Sequence, residues 1–272
     1  MSTKIVYLGP RETKLLYTLE AQDQLIFTIA DAKAILGSSD SSVKNVIYGL
    51  KKKNRLKEIE RGKYLLSPAK AGLEGYWSEH VFRILPQLID RYYVSYWSAL
   101  SHWGMTEQIP FVVYVAIQKR KKNVQFDGQV IQFVTVSSQK FFGYTQEKIG
   151  DRSFNIASRE KTIIDCLDRL EYSGGIVEVA KGLWNARNEL RVDTLLEYTL
   201  RFQVESVQRR LGFLLDLIGL RDINTERALT KDFKGYQWLD YSARKEILSY
   251  DKKWGLKINV PEKELLAFRR GP

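Results

Sequence analysis

Four apolar residues, Val43, Val46, Ile47 and Leu50, recur at i, i+3, i+4 and i+7 directly after Gly37 and the cluster Ser38-Ser39-Asp40-Ser41. That spacing places all four on one side of a helix, and the stripe must be buried against something. Gly37 stops the segment before it, because glycine takes the left-handed C′ conformation at no steric cost. The serines and the aspartate supply N-caps for the helix that follows. Upstream, a short helix opened or capped by Asp31 is expected to turn Ala34, Ile35 and Leu36 inward. Two helices joined by a short Gly/Ser turn make a helix-turn-helix arrangement. Arg55 to Ile59 and Lys63 to Leu66 then flank Glu60-Arg61-Gly62 as a hairpin with glycine at the tight position. Before the motif, Arg11 to Ala21 carries Leu15, Leu16 and Leu19 at helical spacing, and Leu25, Phe27 and Ile29 alternate as a strand does.

The polar side of the second helix sets what this arrangement can meet. It carries Ser41, Ser42, Lys44, Asn45, Tyr48, Lys51 and Lys52, with short polar groups first and lysines last. In a winged helix-turn-helix, early positions reach base edges, where Asn suits adenine and Lys suits guanine, and later lysines meet phosphates. Arg55, Arg61 and Lys63 add cations on the hairpin, whose tip reaches phosphate or a minor groove. The plainer alternatives are a solvated helix face and a hairpin that only completes the core. Charge distribution favours the first reading. Between Ser41 and Lys63 eight Lys/Arg oppose Glu58 and Glu60, so 23 residues hold a net +6 out of +11 for the chain, the footprint of a phosphate-contacting surface.

At 272 residues the chain suits two domains. Ser67-Pro68-Ala69-Lys70-Ala71-Gly72 reads as a linker, dividing a DNA-binding domain over 1–75 from a larger domain over 76–272. In the second part, His80 to Arg91 is helical but interrupted by Pro86, and Ser95 to Trp103 forms an aromatic-rich helix. Strands are expected at Phe111 to Ile117, Val130 to Val136, Phe141 to Ile149 and Phe154 to Ala157. Helices follow over Ser158 to Leu170, Ile176 to Arg187, Asp193 to Arg201 and Ser206 to Leu217. Two more strands fall at Tyr236 to Asp240 and Trp254 to Val260. The fold class is α+β. Lys119, Arg120, Lys121 and Lys122 follow a strand and should project from a loop, as a solvated surface or as an additional DNA contact.

Several chemistries are not indicated. A single cysteine, Cys166, gives no internal disulfide framework and no Cys-based zinc site. Cys166 lies among Ile163, Ile164 and Leu167 and reads as a buried structural thiol. His102, in SALSHWG, reads as a core or capping histidine with no partner base to nominate. Asp165 and Asp168 can share a helix face with Lys161 or Arg169 as ion pairs. Neither a GxxxxGK[ST] nor a GxGxxG loop follows a strand, and Gly174-Gly175 is a turn or helix-start signal. No catalytic residue, cofactor or metal site is expected. No apolar run approaches the roughly 20 residues of a membrane span, and the N-terminus lacks a signal-peptide core, so a cytoplasmic protein is expected.

Tyr92-Tyr93-Val94-Ser95-Tyr96-Trp97-Ser98-Ala99-Leu100 with Gly104 to Pro110, then Asn155 to Arg169 with Gly174-Gly175-Ile176, Arg209 to Leu215 and Trp254 to Val260, follow one another in the order and spacing of a known family. Together they resemble the AbiE-type antitoxins, transcriptional regulators of type IV toxin–antitoxin systems in abortive infection. Leu239-Asp240-Tyr241-Ser242 departs from the Leu-Asp-Pro of many relatives. The resemblance implies a repressor that binds inverted repeats in double-stranded DNA at its own operon. It also implies a second domain that counters a nucleotidyltransferase-like toxin, in a mode of phage defence described as needing no stable toxin–antitoxin complex. The alternative from another class is a nucleic-acid-acting enzyme with an N-terminal targeting domain, motivated by Asp165, Asp168 and Glu171.

Overall fold

The computed structural model describes residues 7–68, 80–126, 128–220 and 227–270. The chain is a mixed α+β protein in two compact units. One comprises residues 1–90 with 124–130 and 148–154, and the other comprises 91–123, 131–147 and 155–272. The expected linker end and the boundary near residue 75 lie outside the described residues.

In the first unit, α1 (Pro10–Ala21) starts at a proline in the first helical turn, where its missing N–H is no loss. A short strand, β1 (Ile26–Thr28), leads straight into α2 (Ile29–Leu36). Ile29 therefore opens a helix rather than extending the strand. Thr28 is the cap and Asp31 answers it: the Asp31 amide donates to Thr28 Oγ1 (3.3 Å), and the Thr28 amide donates to Asp31 Oδ2 (2.7 Å). This reciprocal box satisfies two orphan donors at once. Gly37, at φ 60°, closes α2. Ala34 is exposed, contrary to expectation, and Ala32 takes its place in the core, because a helix starting at Ile29 turns position 32 inward.

Next, α3 (Asp40–Lys52) buries Val43, Val46, Ile47 and Leu50. The hairpin of β2 (Leu56–Glu60) and β3 (Lys63–Leu66) turns at Gly62, φ 75°. These strands and β1 form an antiparallel sheet of order β1-β3-β2. One core holds Leu15, Leu19, Phe27, Ala32, Leu50 and Leu66 among others, and each large side chain fully buried contributes roughly 1.5–3 kcal/mol. The helix α4 (Val81–Leu88) runs through Pro86. Its Gln87 accepts from the Ile26 amide (2.8 Å) on the open edge of β1, a bond that attaches α4 to the first unit.

A six-stranded sheet has the order β6-β7-β5-β4-β9-β8, built from β4 (Tyr92–Val94), β5 (Val112–Ile117), β6 (Val124–Phe126), β7 (Gln129–Thr135), β8 (Tyr144–Ile149) and β9 (Arg152–Ala157). β4 and β9 run parallel and β4 and β5 antiparallel. The short strands β4 and β6 have too few residues to show alternation in the sequence. The helices of the second unit are α5 (Tyr96–His102), α6 (Arg159–Asp168), α7 (Gly175–Asn185), α8 (Val192–Phe202) and α9 (Glu205–Ile218). Ser158 caps α6 as expected, accepting from the Lys161 amide at 3.2 Å. A small sheet of order β10-β12-β11 joins β10 (Gln237–Trp238), β11 (Ser249–Asp251) and β12 (Leu256–Ile258), followed by α10 (Glu262–Leu265). No described helix is long and apolar enough to cross a membrane.

Candidate nucleic-acid interface

The outward side of α3 is one continuous polar stripe. Ser41, Lys44, Asn45, Tyr48 and Lys52 are all exposed, at positions that repeat every three or four residues. Over these twelve residues the stripe is about 16 Å long. Tyr48 is 59 % exposed, and the Lys52 ammonium sits 4.6 Å from its ring centroid. Among the described residues no carboxylate pairs with Lys44 or Lys52. The helix ends are charged in the sense the macrodipole favours, with Asp40 in the first turn and Lys51 and Lys52 in the last. Asp40 is held by Lys33 (2.7 Å), whose hydrogen bond lowers its pKa.

The remaining sequence candidates divide. Ser42 is half-buried and accepts from Arg11 Nη1. It belongs to the junction with α1, and it brings an exposed arginine to the start of α3 that spacing along one helix could not reveal. Lys51 is exposed and donates to Glu58 (2.7 Å), whose hydrogen bond raises its pKa. Lys53 is clipped to Glu12 (2.5 Å). Glu12 in turn accepts from the Gly9 amide (2.7 Å), and its other carboxylate oxygen fills the space beside Gly49. Arg55 is half-buried and faces the Pro68 carbonyl (3.5 Å) rather than solvent. Lys63 donates to the Leu88 carbonyl (3.3 Å) and lies 3.7 Å from Glu60. On the hairpin, only Arg61 stands exposed at the tip as the reading required. The net +6 of this segment therefore overstates its free outward charge: Lys44, Lys51, Lys52, Lys57 and Arg61 are exposed, and of these Lys51 is paired with Glu58 at the surface.

In the second unit, Lys119, Arg120 and Lys122 are exposed on the loop between β5 and β6. Lys121 is half-buried, its ammonium 5.5 Å from the Phe133 ring centroid.

The acidic residues behind the enzymatic alternative do not converge. Asp165 is buried against Lys161 and accepts from Ser95 Oγ (2.7 Å). Burial raises the Asp165 pKa and lowers that of Lys161, whose ammonium also donates to the Tyr93 hydroxyl (3.0 Å). Asp168 pairs with Lys140 (2.6 Å), and Glu171 accepts from the Tyr241 hydroxyl. Cys166 is buried, and its pKa is pushed well up by that burial. His102 is half-buried beside Trp103 rather than in the core. Among the described residues no three His, Cys, Asp or Glu side chains form a metal-sized group.

The residues that carried the family resemblance have architectural work in the second unit. Arg209 donates to the carbonyls of Lys234, Gly235 and Gly255, and Arg210 to those of Leu167, Trp238 and Leu239. Gly212 admits the Trp254 ring, which a Cβ would overlap. Gly174 and Gly175, both at positive φ, set α7 onto Asp240, whose carboxylate accepts from the Ile176 amide at 2.7 Å. Tyr241 is tied into the same region. Its hydroxyl accepts from the Leu170 amide (3.0 Å) and donates its one proton to Glu171, a bridge proline cannot make.

No family model matches the chain, and no curated protein sequence matches it. The fold has a solved counterpart. The crystal structure of the RV2827C protein from Mycobacterium tuberculosis is similar at a TM-score of 0.68 over 97% of this chain and 96% of that one, with 13% sequence identity. At that identity the likeness concerns the fold alone.

Proposed function

We propose that the chain is a DNA-binding repressor whose N-terminal unit is a winged helix-turn-helix, with α3 as the recognition helix and the β2–β3 hairpin as the wing. The observation that carries this reading is the exposed stripe of Ser41, Lys44, Asn45, Tyr48 and Lys52 opposite a fully buried apolar stripe. Asn45 and Lys44 are suited to base edges, while Lys52, Arg11 and Arg61 are suited to phosphates. The partner is double-stranded DNA, an inverted-repeat operator at the protein's own promoter, with Lys119 to Lys122 as an additional phosphate contact.

From the resemblance alone comes the second part of the proposal. The larger unit is the antitoxin arm of an AbiE-type system, acting in the cytoplasm against a nucleotidyltransferase-like toxin. A mobility-shift assay on the chain's own promoter tests the first part. The triple variant Lys44→Ala/Asn45→Ala/Tyr48→Ala should lose specific binding, each base contact being worth roughly 1–3 kcal/mol. A variant that shifts the promoter as well as wild type does would refute the assignment of α3. For the second part, co-expression with a neighbouring nucleotidyltransferase-like gene should restore growth, and a toxin equally lethal with and without this chain would refute it.

A further inference from the structure

The small sheet β10-β12-β11 carries a surface that neither reading above uses. Its register aligns Trp238, Lys257 and Tyr250 as direct neighbours across the three strands. The adjacent row, Gln237, Leu256 and Asp251, contains the fully buried Leu256 and faces the core. Successive residues of a strand alternate between faces, so the Trp238 row turns outward, with Tyr250 exposed and Trp238 and Lys257 half-buried. Tyr236 lies two residues before Trp238, on the same side. Its ring centroid is 4.9 Å from that of Tyr250, and the two rings are 43 % and 53 % exposed. The Lys257 ammonium is 5.3 Å from the Trp238 ring centroid. One outward face thus holds three aromatic rings around a cation.

The charge around the face selects its occupant. From Lys231 to Lys257 there are seven Lys/Arg and four Asp/Glu. Two of those carboxylates are turned to internal work: Asp240 accepts from Ile176, Ser242 and Ala243 amides, and Asp251 from the Trp254 amide. Lys234 and Lys252, two residues from Tyr236 and Tyr250 in the chain, are exposed, as are Lys245 and Arg244, the last 3.6 Å from Glu246. Rings for bases and lysines for phosphates are the two components of single-strand recognition.

We propose that this face is a stacking platform for unpaired nucleic acid, with bases on Tyr236, Tyr250 and Trp238 and phosphates on Lys257 and Lys252. It is independent of the duplex-reading role given to α3. The test is fluorescence anisotropy of the full chain with labelled oligothymidylate and oligouridylate, using unlabelled random duplex as competitor. Wild type should bind at least one single strand, and the preferred one identifies DNA or RNA as the occupant. Tyr236→Ala/Tyr250→Ala should weaken that binding by about tenfold per ring, whereas Tyr236→Phe/Tyr250→Phe, which keeps the rings, should remain within about twofold. Lys44→Ala/Lys52→Ala on α3 should leave single-strand binding in place. The proposal is overturned if wild type binds neither strand, if the alanine pair binds as wild type does, if the phenylalanine pair fails as the alanine pair does, or if duplex competes as well as single strand.

Discussion

The helices α3 and α6 start alike and end in opposite environments. Each follows a serine, and each carries both lysine and aspartate, Lys44, Lys51, Lys52 and Asp40 in α3 and Lys161, Asp165 and Asp168 in α6. In α3 the apolar residues form a single stripe, and Lys44, Asn45 and Lys52 are left in water. In α6 every residue from Glu160 to Leu167 is buried, so Lys161 and Asp165 must satisfy each other and their surroundings. A charged side chain on α3 is available to a partner, and one on α6 is part of the packing. Charge composition does not distinguish the two helices. What differs is how many neighbouring elements cover each one.

That contrast predicts a ranking of effects. Asp165→Ala leaves the Lys161 ammonium buried without its counter-ion and should cost about 3–5 kcal/mol in urea unfolding. The double replacement Lys161→Met/Asp165→Leu should recover most of that loss, because burial disfavours the charged form of both partners. If the single change costs no more than a surface substitution, the contrast between the helices fails. Gly212→Ala, forced against the Trp254 ring, should cost about 1–3 kcal/mol. On α3 the effects move from stability to binding. Asn45→Ala should weaken operator binding by roughly 1–3 kcal/mol and relax specificity at one base pair, while unfolding shifts by less than about 0.5 kcal/mol. Lys52→Ala should reduce the salt slope of binding by about 1, uniformly across sequences. Neutralising Lys119 to Lys122 should lower the slope too, and an unchanged slope returns that loop to a solvated surface.

The smallest effect concerns pH. The Lys33 hydrogen bond lowers the Asp40 pKa below its usual 3.8. Its contribution is present above the ordinary carboxylate pKa and is lost as pH falls through the lowered one. Asp40→Asn should therefore lower stability slightly near neutrality, leave it unchanged in strong acid, and so flatten the acid limb of the profile.

Much of the fold was legible wherever a helix had one apolar stripe. Val43 to Leu50 in α3 and Val207, Leu211, Leu214, Leu215 and Ile218 in α9 are buried as periodicity predicts. Of the strands, β5 was legible from its continuous β-branched run and β7 from its alternation. β4, β6 and β11, of three residues each, were not, since three residues are too few to show alternation.

For the candidate interface, the residues of α3 follow from the sequence. Periodicity assigns Lys44, Asn45, Tyr48 and Lys52 to the side opposite the core, because a helix fixes which positions share a face. Only the tertiary structure decided which cations remain outward and unpaired. Lys51, Lys53, Arg55 and Lys63 meet Glu58, Glu12 and the carbonyls of Pro68 and Leu88, partners up to 41 residues away in the chain. Arg11 reaches the start of α3 in the same way. The alignment of Trp238, Lys257 and Tyr250 also belongs to the tertiary structure, because strand register is set by pairing between segments and not by any one of them.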